Sequence, residues 1–181
     1  MDIELYYQEK GTGEPFIFLH GNGENSSYFG NQINYFQRKY RVIALDTRGH
    51  GKSPRGDAPF TIEQFSCDLY DFMNAHQIPS AIILGFSDGA NIAMKFAMKH
   101  PNMVKALILN GGNLNPKGVK RITMPTLVIC GTNDMIKESH TKEIAENLPD
   151  ATLTILKGTH FIANKCPAEF NRTVDDFLKT V

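Results

Sequence analysis

Gly85-Phe86-Ser87-Asp88-Gly89 is the arrangement in this chain best suited to covalent chemistry. It closes an apolar run at 80–86 (SAIILGF) and opens an amphipathic stretch near 88–100. A serine on a sharp strand-to-helix turn is held in strained backbone geometry, with its hydroxyl projecting past the sheet edge. Only glycine at positions 85 and 89 leaves room for so close an approach. The serine also stands at a helix N-terminus, where free N–H groups and the macrodipole favour developing negative charge. The pattern predicts a nucleophile for acyl transfer. Taken alone, it describes equally well a serine that caps a helix between two turn glycines.

Residues further along the chain separate these two readings. A nucleophile of this kind needs a carboxylate and then a histidine, in that order and each after a strand. The acids downstream include Asp88, Asp134 and Asp150. Asp134 directly follows the apolar run 126–131 (TLVICG), whereas Asp150 lies in a Pro-Asp turn feeding the next run. Glu138 and Glu143 fall on the polar face of the helix expected after Asp134. His160, in Lys157-Gly158-Thr159-His160-Phe161, follows the run 152–156 (TLTIL) and precedes the last helix. His140 and His100 read as solvated surface.

The expected catalytic set is therefore Ser87, Asp134 and His160. His160 takes the Ser87 proton as the hydroxyl attacks a carbonyl, then returns it to the leaving group, while Asp134 orients the imidazole. The oxyanion needs two preorganised donors. The backbone N–H of Asp88 supplies one, and that of Asn22, in the loop His20-Gly21-Asn22-Gly23, the other.

To hold these residues the chain must place several strand ends side by side. Apolar runs at 41–46, 80–86, 104–110, 126–131 and 152–156 alternate with helical stretches near 27–38, 61–77, 88–100, 139–148 and 167–180. Near-continuous apolar strands suit a parallel sheet covered on both faces. In 61–77, Ile62, Phe65, Leu69, Phe72 and Met73 recur at helical spacing, with Thr61 at the start. Residues 3–8 and 15–19 flank Gly11-Thr12-Gly13, which predicts an antiparallel hairpin at the sheet edge. The fold class is α/β, mostly parallel, with helices on both faces. The single strand-to-strand connection without a clear helix is 113–124 (NLNPKGVKRITM).

Composition narrows the alternatives. The 181 residues carry 19 Lys+Arg against 19 Asp+Glu and are 41% hydrophobic. That length predicts one domain, residues 1–181. Zero formal charge argues against a nucleic-acid partner, and the hydrophobic fraction against disorder. No segment reads as a membrane span or a secretory signal, so a cytoplasmic location is expected. Cys67, Cys130 and Cys166 lack CxxC spacing and read as plain thiols. Gly51-Lys52-Ser53 resembles the end of a phosphate loop, but Asp46 stands where the motif needs glycine. Gly21-Asn22-Gly23 lacks the third glycine of a dinucleotide fingerprint, although Asp46 keeps that reading as a rival. The six histidines show no ligand-like clustering. No metal or cofactor is expected.

The segments LHGNG (19–23), DTRGHGKS (46–53), GFSDGA (85–90), GTND (131–134) and GTHF (158–161) together resemble the α/β-hydrolase superfamily. They fall in that family's order and cover nearly the whole chain. The resemblance implies that Arg48, His50 and Ser53 are scaffold and that His20 fixes a loop. A serine nucleophile implies esterase-like chemistry. Two departures stand out. Asp88 occupies a place where many relatives carry Met, His or Gln, and a carboxylate there biases the site toward cationic or neutral substrates. Family members usually insert a helical cap where this chain has only 113–124. The expected activity is cleavage of small or short-chain carboxylic esters. Thioesterase, lactonase and acyltransferase chemistry use the same triad, and a ligand-binding protein that keeps the triad without turnover is the rival from another class. Without a cap, Tyr28, Phe29, Phe86, Met135, Ile136 and Phe161 are left to line the acyl pocket. The uncovered apolar surface makes a homodimer an expectation to test.

Overall fold

A computed structural model describes residues 2–181. Seven strands form one sheet: β1 (Tyr7–Lys10), β2 (Pro15–Leu19), β3 (Arg41–Leu45), β4 (Ala81–Phe86), β5 (Val104–Asn110), β6 (Thr126–Asn133) and β7 (Ala151–Thr159). Their order is β1-β3-β2-β4-β5-β6-β7, and every pairing is parallel except that of β1 with β3. Six helices accompany them: α1 (Gly30–Phe36), α2 (Ile62–Ala75), α3 (Asp88–Lys99), α4 (Glu138–Asn147), α5 (Ile162–Lys165) and α6 (Pro167–Leu178).

Strand alternation explains why both faces are covered. In β2, Phe16 and Phe18 point to one face, where they meet Phe36 of α1 and the cluster that includes Phe170 and Val174 of α6. Ile17 and Leu19 point to the other, into a cluster with Leu69 and Phe72 of α2 and Ile92 and Phe96 of α3. Burying apolar side chains on both faces is what makes the central strands read as unbroken hydrophobic runs. The start of α2 is fixed locally: the Thr61 hydroxyl accepts a hydrogen bond from the Gln64 amide at 3.1 Å.

The antiparallel edge exists, but it is not the expected hairpin. β1 spans 7–10 rather than 3–8 and pairs with β3, not with its chain neighbour β2. The loop around Gly11 bridges the gap of two strand spacings left for β3, roughly 10 Å. Lying between β1 and β2, β3 has hydrogen-bonding partners on both sides. Local turn chemistry cannot distinguish a closed hairpin from one opened to admit a third strand. The expected helix at 27–38 is likewise divided, into a 3-10 turn at Ser26–Phe29 and then α1.

The connection from β5 to β6 is short and firmly seated. It contains one 3-10 turn, Pro116–Arg121, and buries Val119, Ile122 and Met124 in the core. A reciprocal clasp ties it to α3: Asn91 Nδ2 donates to Asn113 Oδ1 at 2.8 Å, and the Asn113 amide donates to Asn91 Oδ1 at 2.9 Å.

The segment after β3 is held by buried charge. Asp46 Oδ1 accepts from the Ser26 amide (2.7 Å) and Oδ2 from the Lys52 amide (2.8 Å). Its carboxylate is thus occupied by the loop itself, not free for a ribose. Ser53 Oγ donates to the Asp46 carbonyl at 2.6 Å and accepts from the Tyr6 amide at 2.8 Å. The Arg48 side chain is fully buried and forks onto Asp68 at 2.7 and 2.8 Å and onto Asp2 at 2.5 and 3.0 Å. Removing one partner of such a pair leaves the other as an uncompensated buried charge. Arg48→Ala should therefore cost about 3–5 kcal/mol, read as a lower urea midpoint. An unchanged midpoint would show that Asp68 is solvated instead.

Candidate active site

Ser87 and His160 line one cavity of about 350 Å³ at the C-terminal edge of the sheet, and Asp134 bonds to His160 from outside the lining. Ser87 follows β4 directly and opens α3, with φ 53° and ψ −116°. Such a conformation is uncommon for a residue with a Cβ and signals stored strain. The turn is anchored by the Ser87 amide, which donates to the Asn110 carbonyl of β5 at 2.8 Å. The flanking glycines are demanded by contact. A Cβ on Gly89 would lie 1.9 Å from the Leu19 carbonyl oxygen, and one on Gly85 would lie 2.3 Å from the Gly89 carbonyl oxygen. The elbow is pressed against β2 as well as against its own helix.

Asp134 and His160 are brought together by strand register. β6 and β7 run further than their apolar stretches, and a register shift after Gly131 lets Asn133 pair with Thr159. The next residue on each strand is Asp134 on one and His160 on the other. Asp134 Oδ1 lies 2.7 Å from His160 Nδ1 and also accepts the Ile136 amide at 2.9 Å. Burial pushes the Asp134 carboxyl up, but the hydrogen bonds from His160 and Ile136 outweigh it and hold the group below its ordinary range. An ionised Asp134 can only accept, so Nδ1 carries the proton of this bond. Nε2 is buried and has no partner among the described residues, although His160 lines the same cavity as Ser87.

The loop after β2 supplies the facing wall. His20 is buried; its Nδ1 donates to the Gly21 carbonyl at 2.7 Å and its Nε2 accepts the Thr47 amide at 3.0 Å. Burial depresses its basicity, consistent with a neutral ring that joins two loops. Asn22 and Asp88 both line the cavity, and neither backbone amide has an acceptor among the described residues.

The expected lining residues divide. Phe86, Met135 and Phe161 do line the cavity. Tyr28 stacks behind Phe86, ring centroids 4.5 Å apart and planes nearly parallel. Ile136 is half-buried and serves through its amide on Asp134. Phe29 is fully buried against Phe18, so a ligand cannot reach it. Successive residues of the 3-10 turn Ser26–Phe29 point about 120° apart, which sends Tyr28 toward Phe86 and Phe29 toward Phe18. His140, expected at the surface, is half-buried, with Nε2 enclosed and unpartnered.

Two further residues shape the site and carried no sequence signal. Glu24 lines the cavity and accepts the Gly21 amide on Oε2 at 3.2 Å. Burial pushes its carboxyl up, partly offset by that bond. Gly111, just past β5, has φ 68°, and a Cβ there would lie 2.5 Å from His160 Cε1. The imidazole occupies the space a side chain would take. Gly111→Ala should displace the ring and slow labelling of Ser87 by a fluorophosphonate by about 100-fold, as misplacement of about 1 Å does. Labelling at the original rate would mean that the ring has room elsewhere.

Comparison with known proteins identifies the fold. The family model described as "alpha/beta hydrolase fold" matches residues 14–121. The chain is 34% identical over 113 residues to a 2-hydroxy-6-oxo-6-(2'-aminophenyl)hexa-2,4-dienoic acid hydrolase of Metapseudomonas resinovorans, covering 60% of this chain and 39% of that protein. It is 36% identical over 110 residues to 3-oxoadipate enol-lactonase 2 of Acinetobacter baylyi, covering 60% and 41%. The matched stretches thus span about two-fifths of the length of these curated relatives. Among solved structures, the enol-lactonase from Burkholderia xenovorans superposes with a TM-score of 0.92 at 21% identity, covering 98% of this chain and 97% of that one. A meta-cleavage product hydrolase reaches 0.94 at 18% identity, covering 99% and 96%. With the fold shared from end to end and the sequence pattern matched over more than half its length, this chain belongs to the alpha/beta hydrolase fold family.

Proposed function

We propose that this protein is a serine hydrolase that cleaves small carboxylic esters through an acyl-enzyme on Ser87. The observation that carries this reading is the 2.7 Å Asp134–His160 hydrogen bond, which leaves an unpartnered His160 Nε2 in the cavity that Ser87 also lines. Nε2 accepts the hydroxyl proton as Ser87 Oγ attacks the carbonyl carbon. Asp134 then faces an imidazolium, whose charge it stabilises. The carbonyl oxygen becomes an oxyanion, held by the free amides of Asn22 and Asp88. Collapse of the tetrahedral species expels the alkoxide, which takes the proton from Nε2. Water repeats the sequence on the acyl-enzyme and frees the acid.

The substrate range follows from how little covers the site. Met135 is 70% exposed and Phe161 41% exposed, both at the cavity. In this reading the connection 113–124 stands where relatives insert a cap, and the whole chain is one core domain. An open cleft discriminates weakly by size, so a range of short acyl chains is accepted. Lactones share the acyl-enzyme chemistry, and similarity to an enol-lactonase supports counting them in the same range.

The test is a series of nitrophenyl esters of increasing acyl length together with a fluorophosphonate probe. Ser87→Ala and His160→Ala should each lower kcat by about 10⁴-fold or more, and Asp134→Asn by about 10⁴-fold through the wrong imidazole tautomer. Ser87→Ala should also abolish labelling. Labelling without turnover would replace the hydrolase reading with a ligand-binding one, and full activity in His160→Ala would remove His160 as the base.

A further inference from the structure

The cavity beside Ser87 is chemically lopsided. Glu24 and Asp88 both line it, and no lysine or arginine does. The imidazole that lines it, His160, already has its Nδ1 engaged by Asp134. On another side Phe86, Met135 and Phe161 offer an apolar surface, with the Phe161 ring 41% exposed. His160, which lines the same cavity, is itself 4% exposed and its Nε2 has no partner among the described residues, so the acidic pair borders the reacting groups.

Glu24 is no freely waving surface carboxylate. Its backbone amide donates to the Gly21 carbonyl at 3.2 Å, and its side chain returns to accept the Gly21 amide on Oε2. The turn 21–24 thereby fixes one carboxylate oxygen and leaves the other with no partner among the described residues. Half-burial limits the water that would screen its charge, so its field extends further into the cavity than that of an exposed acid. Asp88 contributes a second negative charge from the first turn of α3.

We propose that Glu24 and Asp88 make this site selective for esters whose acyl part carries a positive ammonium group, with neutral esters cleaved less well and carboxylate-bearing esters rejected. The proposal rests on hydrolysis at Ser87 and adds to it the charge class of the substrate. An ammonium in the cavity meets carboxylates on one side and an aromatic face on the other, both attractive to a cation. A carboxylate there meets two like charges and no lysine or arginine.

Three nitrophenyl esters of matched size test this: those of 4-(trimethylammonio)butanoate, 5,5-dimethylhexanoate and glutarate. Each kcat/KM is divided by the ester's spontaneous hydrolysis rate, so that intrinsic reactivity cancels. At low ionic strength the cationic ester should exceed the neutral one, and the neutral one the anionic. Glu24→Gln keeps an oxygen to accept the Gly21 amide while removing the charge, and Asp88→Asn removes the second charge independently. Each should lower the cation-to-anion ratio by about tenfold, the scale of one partly screened charge at this range. High salt should narrow the ratio in the unmodified protein. Equal or faster cleavage of the glutarate ester, or a ratio untouched by both variants, would overturn the charge selectivity while leaving the hydrolase reading intact. If none of the three esters shows Ser87-dependent cleavage, the hydrolase reading falls and the selectivity with it.

Discussion

The hydrogen bond between Asp134 and His160 constrains two strands, two loops and a neighbouring glycine at once. For the two side chains to meet at 2.7 Å, β6 and β7 must stay paired to their last residues, and Asn133 opposite Thr159 is the pair that ensures it. The Ile136 amide then fixes the carboxylate oxygen that the imidazole uses. Gly111 leaves open the space that the ring fills. The site is thus a property of sheet register first and of loop conformation second. A one-residue slip of β7 would turn His160 to the opposite face of the sheet.

Strain and burial are concentrated where the chain must approach itself most closely. Ser87 is held in a left-handed conformation by β5 on one side and by β2 on the other. Behind this, the buried Arg48 with its two aspartates and the Asp46 carboxylate on two backbone amides stiffen the loop after β3. His20 links that loop to the one carrying Asn22. Buried charges of this kind contribute little net stability, but they allow a single arrangement of the loops.

Much of this architecture can be read from the residues alone. The order Ser87, Asp134, His160 along the chain reflects the order of strand ends, and strand ends are marked by where apolar runs stop. The same logic failed where local and long-range pairing compete. Gly11-Thr12-Gly13 makes a good turn whether its strands touch or stand apart, so only the burial of β3 between them decides the outcome. The final residues of β6 and β7 are polar, and nothing in Thr132-Asn133 or Gly158-Thr159 announces a strand. Phe29 was legible as an aromatic near the site, but not as a core residue, because a 3-10 turn sets its direction. Glu24 gave no signal, since an acid in a glycine-rich loop is ordinarily solvated, and only the folded turn brings it back onto the Gly21 amide. Sequence similarity is similarly partial: the family pattern over residues 14–121 includes the serine but stops short of the acid and the base.

The clasp between Asn91 and Asn113 has a consequence for how this scaffold can grow. The chain leaves β5 beside the imidazole, at Gly111, and is pinned to α3 two residues later before it rejoins the core at Val119. Between the pin and the core, Asn115, Lys117 and Gly118 are exposed and lie outside the sheet. Polypeptide spliced in at that point would begin and end on fixed anchors outside every strand. The segment is thus a docking port for added chain, where a roof can be gained or given up without rebuilding the house beneath it.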